Sequence, residues 1–280
     1  MNNMSETTNK QFRRKKILFI FKKELREIVK NRQIIVTSVI MPVVFAVLIP
    51  ASMIALNFTE ESEISETEQI PDIFKNIDPY WEESNELQKI SILQANMYLS
   101  FLIMIPMYVP MPIAADCIAG EKERRTIEGL LAAPISEQEL FFGKALAAST
   151  PSIIISWLAE IIYIVFTDII LYGVLDGRIL LPNLFAILMF VLLMPTQTIL
   201  STLIVSAISS RSKGTREALQ KSGLLTIPII SLGSAIVFVP FFFHPLLCLV
   251  SELILLFLVA MVLRLAVKSF NREKLLSIGS

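Results

Sequence analysis

The sequence has little of the chemistry from which most enzyme sites are built. Its 280 residues include two cysteines and one histidine, so no metal site made of His and Cys is expected. A phosphate-binding loop needs a glycine-rich run that ends in Gly-Lys-Ser or Gly-Lys-Thr. Gly143-Lys144 is followed by Ala145 and has no such run before it. No nucleophile elbow occurs. We therefore expect a protein that is not an enzyme and that binds no cofactor itself.

The two cysteines are predicted to remain unpaired. Cys117 and Cys248 fall near opposite membrane faces in the topology described below, too far apart for a disulfide. Both are expected to be buried thiols. The single histidine, His244, precedes a proline and is expected in a turn at the membrane surface.

Apolar residues dominate what is present. The hydrophobic fraction is 54%, the charged fraction is 18% and the mean hydropathy is +0.65, a balance that soluble domains rarely reach. A helix needs about 20 apolar residues to cross the hydrocarbon core. Six stretches are predicted to do so: 34–56, 95–115, 140–166, 184–208, 224–243 and 246–267. Pro240 and Pro245 favour a hairpin between the last two. The first stretch is too long for a cleaved signal peptide, so we expect it to remain.

Basic residues indicate the orientation. All but three of the 25 lysines and arginines fall in the leader 1–33, the connections 116–139 and 209–222 with their flanks, and the C-terminal end with the tail 268–280. The exceptions are Lys75, Lys89 and Arg178. The positive-inside rule makes the basic side cytoplasmic. We predict an all-α integral membrane protein, one transmembrane domain over 1–280, with six helices and both termini in the cytoplasm.

Two segments outside the spans have a distinct character. The predicted external loop 57–94 is strongly acidic, which fits either a solvated loop with a short helix or a vestibule that attracts cations. The leader is amphipathic: an apolar arc of Ile17, Leu18, Phe21, Leu25, Ile28 and Val29 lies opposite its lysines. This pattern favours a helix in the membrane interface over a solvated helix that binds a soluble partner.

The connection after the second span carries the most specific motif. It reads Gly120-Glu121-Lys122-Glu123-Arg124-Arg125-Thr126-Ile127-Glu128, then Leu130-Leu131-Ala132-Ala133-Pro134-Ile135-Ser136, then Gly143-Lys144. By propensity, residues 121–131 favour a helix, with Glu121–Arg125 and Arg124–Glu128 spaced as ion pairs. Ser136 and Glu139 are spaced as a capping box for the third span. A surface loop with such ion pairs is the plain alternative.

This motif resembles the cytoplasmic loop of type-2 ATP-binding-cassette (ABC) exporter permeases. That family has Gly-Glu-(Lys/Arg)-Glu-x-Gly-Thr-(Leu/Ile)-Glu followed by Leu-Leu-x-x-Pro-(Ile/Val)-Ser and then Gly-Lys. The sequence departs from it at Arg125, where the family has glycine. Lys22-Lys23-Glu24-Leu25 and Met41-Pro42 also resemble the family, so the likeness covers essentially the whole chain.

The resemblance implies a permease in a cell membrane, of prokaryotic plasma-membrane type. It would assemble with a second permease copy or a homologous permease and with an ABC ATPase subunit that carries ATP and Mg²⁺; no nucleic acid partner is expected. The loop would be the coupling helix that contacts the ATPase. The residues carried over are Gly120, Glu121, Glu123, Arg125, Thr126, Glu128, Leu130 and Leu131. The implied mechanism is alternating access, in the export direction.

Three polar side chains inside the spans are candidates for a translocation pathway: Glu160, Gln197 and Glu252. Acids in a bilayer are costly and often mark ion pathways, although a hydrogen-bonded contact between helices is the plain alternative. Glu160 also supports a rival hypothesis, a stand-alone secondary transporter or channel. Nothing in the sequence selects a substrate. Pro195 is expected to kink the fourth span.

Overall fold

The computed structural model describes residues 2–60, 78–126, 135–224 and 245–269. Every regular element in those ranges is helical, which confirms the all-α prediction. The helices are α1 (Asn2–Lys30), α2 (Arg32–Glu60), α3 (Glu86–Glu123), α4 (Glu137–Leu171), α5 (Leu184–Ser209), α6 (215–224) and α7 (Pro245–Ser269). A 3-10 turn, Trp81–Glu83, precedes α3.

Four stretches of the described chain are long and apolar enough to cross a membrane: Arg32–Met53 of α2 and the whole of α3, α4 and α5. They contain the first four predicted spans, apart from the last three residues of the first. The sixth predicted span, 246–267, lies within α7. The fifth, 224–243, lies almost entirely outside the described residues, as do most of the tail 268–280 and residues 61–77 of the acidic loop. The total of six spans and the cytoplasmic termini stay predictions.

Helix α2 packs along α4 through a stripe that recurs about every four residues. Ile34, Ser38, Ala46 and Met53 are buried on this face. Serine and alanine side chains are short, so two apolar helices approach closely there. The opposite face of α2 exposes large apolar groups such as Leu48, as expected of a surface that lipid or another chain covers.

The helices α3 and α5 change their winding near prolines. In α5, a π-helical turn at Met189–Leu193 comes just before Pro195. Proline has no N–H to continue the ladder of hydrogen bonds, so the preceding carbonyls need other partners. Trp157 of α4 provides one, since its indole N–H donates to the carbonyl of Phe190 at 2.7 Å. The disruption predicted at Pro195 therefore takes the form of a π turn.

Side-chain hydrogen bonds join the spans to one another. The hydroxyl of Tyr163 in α4 donates to the carbonyl of Ala95 in α3 at 2.7 Å. Ser201 of α5 donates to the carbonyl of Met107 in α3 at 2.7 Å. Polar groups that lack water inside a bilayer need such partners, so these contacts fix how α3, α4 and α5 pack.

Candidate functional site

The leader helix α1 lies against the start of α4, and we call this side of the molecule the leader end. Ile20, Glu24 and Ile28 form its buried stripe, whereas Leu18 and Val29 are exposed. The face that packs on the protein is therefore offset from the predicted apolar arc. The apolar arc does not predict the buried face because the arc contains apolar residues only, whereas the buried face includes Glu24, which is buried by pairing with Lys144. The exposed apolar groups remain available to a membrane interface.

A glycine permits the close packing of α1 on α4. A methyl group added at Gly143 would lie 2.6 Å from Cγ2 and 2.7 Å from Cβ of Ile20. These atoms are close to the backbone of α1, so they move only if the helix moves. The Gly-Lys pair of the motif thus has a physical reason. Gly143 leaves room for Ile20 of the leader helix, and Lys144 forms an ion pair with Glu24 of the same helix.

Five charged residues form what we call the charge cluster: Lys23, Glu24, Glu27, Glu121 and Lys144. Nζ of Lys144 lies 3.0 Å from Glu24 and 2.8 Å from Glu121. Nζ of Lys23 lies 3.1 Å from Glu24, 3.1 Å from Glu27 and 3.5 Å from Glu121. The cluster joins α1, the end of α3 and the start of α4.

The core of the cluster is buried. The side chains of Lys144 and Glu24 are 2% and 3% exposed, and Nζ of Lys144 also donates to the carbonyl of Cys117 at 2.7 Å. Burial lowers the pKa of Lys23, but the carboxylates of Glu24, Glu121 and Glu27 outweigh it and hold that pKa above its ordinary value of 10.5. Buried charges persist only when paired this closely.

The acidic side chains of this cluster also have the spacing of a cation site. Oxygens of Glu24, Glu27 and Glu121 lie within 4.8 Å of one another. The ammonium groups of Lys23 and Lys144 lie among them. Positive charge is therefore already supplied by lysines, and the arrangement does not fit a metal centre.

The next two motif residues reach the opposite way, toward the connection between α5 and α6. Lys122 donates to the carbonyls of Ser210 at 2.6 Å and Ser212 at 3.2 Å, which are orphan acceptors beyond the end of α5. Glu123 accepts from the N–H of Thr215 at 3.0 Å and from its hydroxyl at 2.6 Å. A carboxylate at the first turn of α6 also favours its helix dipole.

The motif glycine makes room for a further ion pair. A methyl group at Gly120 would lie 2.9 Å from Cγ of Asp116 and 3.0 Å from a guanidinium nitrogen of Arg124. These two side chains pair above it, with Nη1 of Arg124 3.1 Å from Asp116. The hydrogen bond raises the pKa of Arg124 above its usual range.

The predicted continuous helix over 121–131 is wrong at 124–126: residues 121–123 are the last turn of α3, which ends at Glu123, and the chain then makes a turn. Arg125 has a left-handed φ of 57°. Its N–H donates to the carbonyl of Lys122 at 3.1 Å, and the N–H of Thr126 donates to that of Glu121 at 3.0 Å. This is the hydrogen-bond pattern of a Schellman cap, whose left-handed position is usually glycine. Arg125 therefore occupies a glycine position.

The predicted ion pair Glu121–Arg125 is wrong, because Glu121 pairs with Lys144 and Lys23 instead. Helix propensity placed Glu121 and Arg125 one turn apart on a continuous helix, and the left-handed φ of Arg125 ends that helix. Arg124 pairs with Asp116, and its predicted partner Glu128 lies outside the described residues. The capping box of α4 is confirmed: Ser136 accepts from the N–H of Glu139 at 3.2 Å, and Glu139 accepts in return at 2.9 Å.

The motif residues carried over from the family fall into three groups: those in contacts at the leader end, those in the turn after α3, and those outside the described residues. Gly120, Glu121 and Glu123 lie inside the contacts of the leader end, Arg125 is exposed and Thr126 caps the turn. Glu128, Leu130 and Leu131 lie outside the described residues. Sequence reasoning missed the pairing roles of Lys23, Glu24 and Lys144, although Lys-Lys-Glu-Leu and Gly-Lys were the signals available.

The three pathway candidates lie in three different helices, α4, α5 and α7. Glu160 is fully buried in α4, and among the described residues neither carboxylate oxygen has a hydrogen-bond partner. Oε1 of Glu252 in α7 accepts from the hydroxyl of Thr196 in α5 at 2.6 Å. Gln197 is buried with its amide oxygen unpartnered within the described part of the chain. Glu252 thus makes a contact between helices.

Comparison with known families agrees with the motif. The model of a family described as "ABC-2 family transporter protein" matches residues 18–239, which include residues 18–30 of α1 and the whole charge cluster. The chain belongs to the ABC-2 transporter family. This confirms the prediction of a type-2 ABC permease, and with the apolar helices it indicates a multi-pass membrane protein.

A curated bacterial protein is similar to part of the chain. "ABC transporter permease protein NatB" of Bacillus subtilis (strain 168) is 41% identical over 69 residues. The match covers 24% of this chain and 18% of that protein. It therefore supports membership of the family, while the activity of the whole relative is not carried over.

Proposed function

We propose that the chain is the membrane permease of an ABC exporter, driven by a separate ATPase subunit that holds ATP and Mg²⁺. Two permeases, either two copies or one copy and a homologue, would assemble with two ATPase subunits. Closure of the ATPases on ATP would move the leader end, and the spans would alternate between inward and outward openings.

The observation that supports this proposal is the way the motif binds the leader end together. Glu121 contacts α1 and α4, and Lys122 and Glu123 contact the connection between α5 and α6. A force on the end of α3 is thereby passed to elements on both of its sides. Such a unit is what a soluble motor needs in order to move several spans together.

Buried and exposed residues of the motif are assigned different roles, one in holding the leader end together and one in docking on the ATPase. Glu121 is 5% exposed, so we assign it to holding the leader end together. Arg125 is exposed and stands where the chain leaves α3. We therefore assign direct docking on the ATPase to Arg125 and to residues 127–134, which follow it in the sequence.

Affinity purification of the full chain from its native membrane tests the proposal. A stoichiometric partner with nucleotide-binding motifs is expected. Arg125→Glu reverses an exposed charge and leaves the left-handed φ requirement unchanged, so it should release the partner while the thermal stability of the chain stays constant. Lys89→Glu, a charge reversal at a half-buried lysine in the first turn of α3, at the end of that helix away from Arg125, is the control for release of the partner. A chain that purifies without an ATPase would refute the proposal.

The rival function, a stand-alone ion-coupled transporter or channel, is favoured by the unpartnered carboxyl of Glu160. It predicts ion flux into liposomes that needs no ATP and that Glu160→Gln abolishes. The permease proposal predicts no transport by the isolated chain. The same liposome assay, with and without the co-purified ATPase and ATP, therefore decides between them.

A further inference from the structure

The end of the helices away from the leader, which we call the distal end, carries a second built site. It consists of residues 78–88 and 171–184, which are held together by Gln88. The amide nitrogen of Gln88 donates to the carbonyl of Val174 at 3.0 Å and to the carboxylate of Asp176 at 2.8 Å. Gln88 is buried, so these bonds fix the two segments against each other.

Arg178 is held in one orientation at this end. Its Nε donates to the carbonyl of Leu175 at 3.1 Å, and Nη2 donates to Oε1 of Gln88 at 3.3 Å. Its guanidinium lies 5.3 Å above the ring of Tyr80. A guanidinium has five N–H donors, so most remain open, and no carboxylate within the described chain forms a salt bridge with it. A fixed guanidinium without a counter-ion suits a phosphate.

The open side of Arg178 borders a cavity of about 390 Å³. This volume lies within the range of about 300–1,000 Å³ that small-molecule sites occupy. Asp78 lines the same cavity. A positive and a negative side chain therefore face one space, and a ligand that carries both charges complements them.

The cavity lies at the level where the spans end. Helix α4 ends at Leu171 and α5 begins at Leu184, which places the residues between them at the headgroup region of a bilayer. Ile179 and Leu184 line the cavity and are 75% and 56% exposed. Large exposed apolar groups at this depth suit acyl chains. A soluble zwitterion would leave them uncovered.

We propose that this distal cavity binds the headgroup of a phospholipid that carries a primary amine, of the phosphoethanolamine type. The phosphate pairs with Arg178, the ammonium group pairs with Asp78, and the acyl chains lie along Ile179 and Leu184. A headgroup with a phosphate and no amine would set a second negative charge beside Asp78. The inference does not rest on the proposed transport function, and its failure would leave that function intact.

Native mass spectrometry of the purified, delipidated full chain tests the site. Phosphatidylethanolamine and phosphatidylglycerol with identical acyl chains are added separately. The wild type should retain one phosphatidylethanolamine per chain in preference to phosphatidylglycerol. Arg178→Gln should weaken retention about ten- to hundredfold, since it removes charge-assisted hydrogen bonds. Lys89→Gln, at a half-buried lysine that pairs with Glu86, is the control and should leave the retention of both lipids unchanged.

Asp78→Asn supplies the sharper variant, because it changes selectivity and leaves the structure of the arginine site in place. It should erase the preference for phosphatidylethanolamine while phosphatidylglycerol binds as well or better. Thermal unfolding of lipid-free protein checks that each variant is folded. Equal retention of both lipids by the wild type, or an unchanged preference in Asp78→Asn, would overturn the proposal. Displacement of the lipid by soluble phosphoethanolamine at equal concentration would also overturn it, in favour of a soluble zwitterion.

Discussion

Replacing Lys144 with methionine tests the charge cluster most directly. Methionine has a similar length and removes the buried ammonium, which leaves Glu24 and Glu121 without the partner that lies 3.0 Å and 2.8 Å from them. Breaking a buried ion pair from one side costs about 3–5 kcal/mol. Lys23 still faces both carboxylates, so we expect the lower value of about 3 kcal/mol.

The thiol of Cys117 reports the effect locally. It is 5% exposed, and its carbonyl accepts from Nζ of Lys144. In a Cys248→Ser background, a thiol-reactive dye should label Cys117 only as the protein unfolds. For a chain of 280 residues, a shift of about 2 °C per kcal/mol makes labelling begin about 6 °C lower in Lys144→Met. Lys22→Met, an exposed neighbour of the cluster, should leave the curve unchanged.

The stability of a triple variant and the pH dependence of stability test whether buried unpaired charge causes the loss. The triple variant Glu24→Gln/Glu121→Gln/Lys144→Met has no unpaired buried charge and should be more stable than Lys144→Met alone. If it is less stable, burial of the unpaired carboxylates is not the cause of the loss. The raised pKa of Lys23 means that its contribution is complete below about 10.5 and is lost only as the pH rises through the higher folded value. The difference in stability between Lys23→Met and the wild type should therefore be constant from about pH 6 to about pH 9.

Three other changes test the leader end. Arg125→Gly should raise the free energy of unfolding by about 1 kcal/mol, measured by thermal unfolding, because glycine adopts a positive φ without strain; no gain would contradict the assigned cap. Gly143→Ala should separate α1 from α4, seen as faster proteolysis of the leader, and Ile20→Ala in the same chain should restore part of the protection, because it removes Cγ2 and keeps Cβ. Thr215→Val keeps the backbone N–H and loses one hydrogen bond to Glu123, so its cost should be about 1 kcal/mol by the same unfolding assay; Thr215→Ser is its control and should match the wild type.

The sequence predicts the positions of the first four spans well because each of them is a long apolar run. The hydrocarbon core imposes that pattern whatever the tertiary packing. The capping box at Ser136 and Glu139 was equally predictable, since both partners lie within one turn. Local interactions and composition therefore suffice for these elements.

The charge cluster was not predictable in the same way. Glu24 precedes Glu121 and Lys144 by about a hundred residues of sequence, and it meets them only where α1 packs on α4. Nearest-neighbour spacing favoured the pair Glu121–Arg125 instead. The error arose because helix propensity does not register a left-handed residue when arginine occupies that position; the glycine that the resembling family has there was the available signal.

The order of the charges in the motif has a geometric reason. Successive residues of a helix point about 100° apart, so Glu121, Lys122 and Glu123 together face more than half of the circumference of α3. The leader and α4 lie on one side and offer lysines, so the first position must be acidic. The end of α5 offers carbonyls, which require a donor, and the start of α6 offers N–H groups, which require an acceptor. Acid, base and acid in that order satisfy all three neighbours, and no other order of these charges does.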